Sequence, residues 1–315
     1  MFTQNGENMR FLYLVPKAIF NNKMSRVRFH MIKALSKISE VKYSGPGWER
    51  YNIKELVNQF KPNMIITYLI PNSPKNYGIK TPVCTICNEM YNIEQALVSI
   101  NKLKPDLLIY HYKNDKPLWN YTKNVKFVNL PQCAEKTIFK DYNLPKKYDI
   151  IVGGVMGNEF YPFRTRLLKL LTEKLSKRWK CKVKAHPGYK LTNANSSSEL
   201  INFAKNINQS KITLTCTSQF KYALGKYVEI PMCNSLMAGD LPDERQDFFR
   251  SIMLVLDPKD SDEILINKLE YYLRNDGKRK DLSKKGMDLV RANYTHEHYA
   301  QRFIKVAKNF LGGRI

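Results

Sequence analysis

Short apolar runs alternate with amphipathic stretches along this chain, and the alternation happens twice. In the first round "RFLYLV" (10–15), "VKYSG" (41–45), "MIITYL" (64–69), "TPVCTIC" (81–87), "DLLIYHY" (106–112) and "VKFVNL" (125–130) read as buried strands. Helical spacing falls between them, in "SRVRFHMIKALSKI" (25–38, with Ser25 as cap), "NIKELVNQF" (52–60) and "NIEQALVSINKL" (92–103). Strand and helix in turn at this spacing predict parallel βα units in a doubly wound sheet. A connection carrying Pro and Lys, "PQCAEKTIFKDYNLPKK" (131–147), reads as a linker. The alternation then restarts with "YDIIVGGV" (148–155), an amphipathic helix over 161–179, and strands at 182–189, 211–217, 236–240 and 252–257. Helices follow over 262–275, 280–294 and 297–311. The 315 residues suffice for two domains of about 150 each. The expected fold is therefore α/β, with two Rossmann-like domains, 1–147 and 148–315, the second ending in a closing helix at 297–311.

Charge narrows the class of partner. Lys and Arg total 52 against 28 Asp and Glu, a net charge of +24, which favours anionic partners such as nucleic acid, phosphorylated ligands or an acidic membrane surface. The cations are dispersed, with "KRWKCKVK" (177–184) and "GKRKDLSKK" (277–285) the densest clusters, so a solvated surface accounts for most of them. The six cysteines follow no disulfide-scaffold spacing and read as reduced core thiols. No apolar run approaches the ~18 residues of a membrane span, and the amino terminus lacks a signal-peptide layout. A soluble cytoplasmic protein is the expectation.

In doubly wound sheets, ligands bind outside the carboxyl ends of the strands. "VGGVMGNEFYPFR" (152–164) joins such an end to a helix. Gly154 permits close backbone approach there, and the helix start offers N–H groups to an anion. The spacing matches neither the dinucleotide nor the P-loop pattern. His186, in "KAHPGY", follows a strand end and can donate to a phosphate or a hydroxyl. "CTSQFKYALGKYVE" (216–229) runs from strand through turn to helix, and Ser218, Tyr222 and Lys226 in it are anion- or base-contacting types. Glu229 sits one turn inside an otherwise apolar helix. It either pairs with a lysine or accepts two hydrogen bonds from vicinal hydroxyls, an arrangement that suits a ribose. Cys84 and Cys87, three apart on a strand, point to opposite faces and read as core thiols rather than metal ligands. His296 and His298 lack a third ligand. No metal site is expected.

Taken in order, "KKYDIIVGGVMGNEFYPFRTRLLKLL", "AHPGY", "KYVEIPMCNSLMAGDLPDE" and the helical tail from "DEILINKLEYYLRN" onward resemble the GT-B glycosyltransferases, specifically their spore-maturation (CgeB-type) branch. The resemblance implies two Rossmann-like domains facing across a cleft. A nucleotide-diphosphate sugar would be held by the second domain, and a glycan, lipid-linked or protein acceptor by the first. It implies no cofactor. Glu229 falls at the family's ribose-binding glutamate, and Arg164, His186 and Lys226 are implied as diphosphate neighbours. Many retaining relatives carry a second glutamate eight positions earlier, where Lys221 stands here, which counts against a retaining mechanism. An inverting displacement needs a base from the amino-terminal domain, for which Glu89 comes first, then His30 and His111. His186 is a second catalytic candidate. Two alternatives have the charge as the functional feature, in a nucleic-acid-binding or DNA-modifying protein, or the fold as an inactive scaffold. Weak association with anionic membranes or nucleic acid fits the basic surface. A dehydrogenase is disfavoured, because the first strand is followed by "PKAIFNNK" rather than a Gly-rich turn.

Overall fold

In a computed structural model, the described residues are 9–21, 26–49, 51–87, 90–115, 124–157, 159–185 and 193–313. They divide into two units, one formed by residues 1–131 with 296–315, the other by residues 132–295.

The first unit is built on a six-stranded parallel sheet. Its strands are β1 (Arg10–Leu14), β2 (Glu40–Ser44), β3 (Met64–Thr67), β4 (Val83–Cys87), β5 (Leu107–Tyr110) and β6 (Lys126–Asn129), in the order β2-β1-β3-β4-β5-β6. Strands β1, β3 and β5 are almost continuously buried, as parallel strands covered on both faces must be. The connections are α1 (Lys17–Phe20), a π-helix (Arg26–Met31) running into α2 (Ile32–Leu35), α3 (Ile53–Phe60), a 3₁₀ turn (Pro74–Tyr77) and α4 (Ile93–Leu103). The Asn52 side chain caps α3 by accepting from Glu55 N–H (3.2 Å), and that of Asn92 caps α4 through Gln95 N–H (3.0 Å). Both helices end on a lysine in the left-handed region, Lys61 and Lys104. The helix expected at 25–38 thus opens with a wide turn, and Ser25, its expected cap, lies outside the described residues.

The second unit repeats the plan. Its strands are β7 (Tyr148–Gly154), β8 (Cys181–Ala185), β9 (Ser210–Leu214), β10 (Leu236–Gly239) and β11 (Leu254–Val255), all parallel, in the order β11-β10-β9-β7-β8. Helices α5 (Pro162–Glu173), α6 (Asn193–Asn208), α7 (Lys226–Met232), α8 (Gln246–Arg250), α9 (Asp262–Arg274) and α10 (Asp276–Asn293) fill the connections. Ile150, Val152, Ile212, Leu214 and Leu236 of the sheet pack with Phe163, Leu167 and Leu171 of α5 and with Leu265 and Leu269 of α9. Numbered within each unit, the first five strands of both sheets share one order. The winding direction reverses between β1 and β3 in one unit and between β7 and β9 in the other.

The unit boundaries differ from the sequence expectation at both ends. The segment 132–147, expected as a linker, belongs to the second unit. Asp141 explains part of this: its carboxylate accepts from Asn208 Nδ2 (2.9 Å), Asn234 Nδ2 (2.8 Å) and Asn143 N–H (2.8 Å). Burial pushes the Asp141 acid up, but these bonds and the Lys146 ammonium outweigh it and hold it below the usual carboxylate value. The last helix, α11 (His296–Leu311), belongs to the first unit rather than closing the second. Its buried residues are His296, Tyr299, Ala300, Phe303 and Ala307, one face at helical spacing. Phe303 is fully buried with its ring 5.6 Å from that of Phe11 on β1, and burying such a side chain is worth about 2–3 kcal/mol. His30 and His296 stack at 5.9 Å. Among the described residues no helix is long and apolar enough to cross a membrane.

Candidate functional site

The reversal between β7 and β9 opens a crevice at their carboxyl ends, the general location for ligands in such sheets. Strand β7 ends in Gly153 and Gly154. A Cβ at Gly153 would stand 2.9 Å from the Phe203 ring. One at Gly154 would stand 2.8 Å from Arg164 Nη1 and 3.0 Å from Lys226 Cε, at a backbone φ of +122° that strains any L side chain. Gly153 therefore leaves room for the Phe203 ring, and Gly154 is the space into which an arginine from α5 and a lysine from α7 fit.

Arg164 lies in the first turn of α5, which opens on Pro162, where a missing N–H costs nothing. It is 2% exposed. Nη1 donates to the Val155 carbonyl (3.1 Å), and the guanidinium lies 4.2 Å over the Tyr161 ring. Among the described residues no carboxylate stands within ion-pair distance of it, and its buried Nε finds no acceptor. An uncompensated buried cation is costly unless a partner arrives. At the end of β9 the buried Thr215 hydroxyl likewise has no partner among the described residues. Burial pushes the neighbouring Cys216 thiol up to about 11 against the pull of Arg164, so it is uncharged at neutral pH.

Lys226 and Glu229 share the first turn of α7. The Lys226 ammonium lies 3.9 Å from Glu229 Oε2 and 4.3 Å from the centre of the Phe203 ring. Glu229 is fully buried. The structure thus supplies the cationic neighbour that a lone acid in an apolar helix requires. Its separation exceeds a hydrogen bond, so the pair is purely Coulombic. With Glu229 fully buried, a ligand hydroxyl can reach this carboxylate only if a neighbouring side chain moves, and Lys226, on a flexible stem, is one such neighbour.

The connection from β9 to α7 is held from β10. Asp240, 3% exposed, accepts from Thr217 N–H (2.8 Å), Thr217 Oγ1 (2.5 Å) and Lys221 Nζ (3.1 Å). Its backbone carbonyl accepts from the Tyr227 hydroxyl (2.5 Å). The same connection is tied to the β7–α5 loop by Gln219 N–H donating to the Phe160 carbonyl (2.9 Å). The sequence places Asp240 at the end of the strand expected at 236–240 and assigns it no role, although an acid following a Gly at a strand end is the available signal.

Of the residues singled out from sequence, Gly154, Arg164, Lys226 and Glu229 form one continuous set of neighbours. Ser218 and Tyr222 lie in the β9–α7 connection. The Ser218 hydroxyl accepts from Phe220 N–H (3.2 Å), and Tyr222, 3% exposed, stacks on Phe220 at 5.5 Å. Both have local packing or turn roles in this structure. Glu89 and His186 lie outside the described residues. Cys84 is buried and Cys87 half-buried, and neither is in a disulfide. Burial pushes the Cys87 thiol up to about 12. Among the described residues no three His, Cys, Asp or Glu side chains cluster as a metal site.

Residues 164–305 match a family model described as glycosyl transferase-like, a span that contains Arg164, Lys226 and Glu229. No curated protein matches this sequence. Among solved structures the chain is similar to an alpha-glucosyltransferase in complex with UDP and a 13-mer DNA containing a central A:G mismatch. That likeness has 10% identity and a TM-score of 0.65, over 96% of this chain and 100% of that one. Sucrose-phosphate synthase from Thermosynechococcus elongatus is similar at 11% identity and a TM-score of 0.61, covering 97% and 100%. Anabaena Alr3699/HepE in complex with UDP-glucose is similar at 10% identity and a TM-score of 0.57, covering 96% and 100%. At these identities the likeness is one of fold. The two doubly wound units are the GT-B fold.

Proposed function

We propose that the chain is a glycosyltransferase that moves a sugar from a nucleotide-diphosphate donor to an acceptor. The observation that carries this reading is Arg164, a guanidinium buried at the crevice between β7 and β9 with no carboxylate partner among the described residues. A diphosphate supplies the missing anion and offers the paired oxygens that a guanidinium can grip with two N–H groups, with Lys226 as a second cation beside it. As the carbon–oxygen bond to the donor diphosphate breaks, negative charge grows on the leaving oxygens, and fixed cations stabilise that state more than the ground state. Gly154 is the position that lets both cations approach the same point.

Glu229 is assigned to the ribose hydroxyls. Donor engagement then draws the Lys226 ammonium toward the phosphates and frees the carboxylate for those hydroxyls. The glycosyl transferase-like match over 164–305 supports the reaction class, and the structural relatives solved with UDP or UDP-glucose support a uridine donor as the first to try. The acceptor, held by the first unit, is a glycan, a lipid-linked saccharide or a protein. A general base from that unit, with Glu89 first among the candidates, completes an inverting displacement.

The test is thermal unfolding in the presence of UDP, GDP, ADP, TDP and CMP and their sugars. One of these, present at 100 times its dissociation constant, is expected to add about 2.7 kcal/mol of stability. No shift with any of them, combined with no release of nucleotide from any sugar donor, would overturn the assignment.

A further inference from the structure

At the other end of the same sheet lies a second concentration of charge that plays no part in the crevice just described. Lys146 and Lys147 precede β7, Asp149 lies within it, Lys180 precedes β8 and Lys211 is the second residue of β9. With Ser176, Arg178 and Trp179 they line a groove of about 850 Å3 at the amino ends of the strands. The seven residues of β7, at about 3.3 Å each, separate it by roughly 20 Å from Gly154. Its volume lies within the range of small-molecule sites, about 300–1,000 Å3.

Five cations and one carboxylate line this groove. Asp149 is already satisfied, by Lys211 Nζ (2.7 Å) on one oxygen and Lys180 N–H (2.9 Å) on the other. Arg178 shares Glu270 with Arg274 and with the Trp179 indole. Lys146 donates to the carbonyls of Asn208 (2.6 Å) and Asn234 (2.7 Å). Burial pushes its ammonium down to about 8. Among the described residues the ammonium groups of Lys147 and Lys180 have no carboxylate within ion-pair distance. The groove therefore holds more positive charge than its own acids can balance.

We propose that this groove is a second ligand site, for a compact polyphosphorylated molecule whose phosphates are gripped by Lys147, Lys180, Arg178 and Lys211. The volume, that of a small-molecule site, favours a small ligand over a polymer. A nucleic-acid backbone running on past the groove would also meet the Glu270 carboxylate beside Arg178 and Trp179, outside the lining, whereas a compact ligand meets only Asp149, which is already satisfied. The site uses none of the residues assigned to the sugar donor, so the two stand or fall separately.

The test is calorimetric titration with tripolyphosphate at low ionic strength, where surface charge is least screened. It is run in the presence of saturating UDP, on the wild type, on Lys147→Gln/Lys180→Gln and on the control Lys285→Gln/Lys305→Gln. All four substituted lysines are at the surface, and circular dichroism checks that each variant folds. One tripolyphosphate per wild-type chain is expected to bind despite the UDP. Binding is expected to weaken by about tenfold in the groove variant and to change less than twofold in the control. Equal weakening in both variants would reduce the effect to net charge and overturn the proposal, as would displacement of tripolyphosphate by UDP. Binding of a single-stranded DNA 20-mer in the groove, with tripolyphosphate ignored, would replace the compact ligand with a polymer and overturn it equally.

Discussion

Replacing Arg164 with methionine is expected to weaken nucleoside diphosphate binding by about 100-fold while leaving the unliganded protein as stable as before, or more so. The two effects have opposite causes. Arg164 is 2% exposed and, among the described residues, its polar or cation–π partners are all uncharged: the Val155 carbonyl, the Tyr161 ring and the neighbouring Cys216. Holding it there without an anion costs desolvation energy that neutral neighbours do not return. Methionine fills similar volume without charge, and exchanging a buried ion for an apolar side chain of similar size is commonly neutral or stabilising by ~1–4 kcal/mol. In the complex the balance reverses. Losing a desolvated, hydrogen-bonded charge from a binding site costs about 2–5 kcal/mol, which sets the 100-fold figure. Urea unfolding and nucleotide titration on the same preparation measure both quantities. A variant that is less stable by 2 kcal/mol or more and still binds nucleotide normally would make Arg164 a packing residue.

Glu229→Gln is expected to erase the protein's ability to tell a ribonucleotide from its 2′,3′-dideoxy counterpart. Wild-type protein should prefer the ribose form by about 100-fold, because two hydroxyls donating to a buried carboxylate form charge-assisted bonds. The glutamine variant should show a preference of threefold or less. It should also lose about 2 kcal/mol of stability, since Lys226 would keep its charge without the acid 3.9 Å away. The figure is set below the ~3–5 kcal/mol of a broken buried pair because the Lys226 side chain is 12% exposed. A purely structural ion pair predicts a different result: the same loss of stability, with the preference for ribose unchanged. The full burial of Glu229 makes that outcome a serious competitor, and the comparison of the two nucleotides separates the readings.

The strands were legible because parallel sheets bury both faces, and continuous apolar runs such as "MIIT" and "LLIY" have few other uses. Helices with apolar spacing and a capping Asn, as at Asn52 and Asn92, could be read to within a residue. Helix α6 was missed because its opening, "NANSSSE", carries a single small apolar residue and so shows no apolar period. Its face is written only in the second half, where Leu200, Phe203, Ala204 and Ile207 are buried. The five residues of α8 were too few to show a period. The helix expected to run to 179 stops at Glu173 and continues as a 3₁₀ turn at Leu175–Lys177, a change that side-chain spacing does not announce.

The placement of α11 is a different kind of miss. Its amphipathic face was plain, but nothing local says which sheet a face will meet, and Phe11 lies nearly three hundred residues earlier in the chain. The same limit applies at the crevice. Gly154, Arg164, Lys226 and Glu229 could be singled out one by one from residue type and position, yet the fact that the glycine makes room for the two cations exists only in three dimensions. Asp240 shows the same limit, since residue type and position mark it only as an acid at a strand end. Its importance comes from the Thr217 and Lys221 groups it binds in the β9–α7 connection, about twenty residues earlier in the chain.

Hydrogen–deuterium exchange, with and without whichever nucleotide raises the melting temperature, tests most directly that the crevice between β7 and β9 is where the donor sits. Protection concentrated in 153–157 and 215–229 is the expected result. A stabilising nucleotide that left those two segments exchanging at their free rates, and slowed others instead, would contradict it.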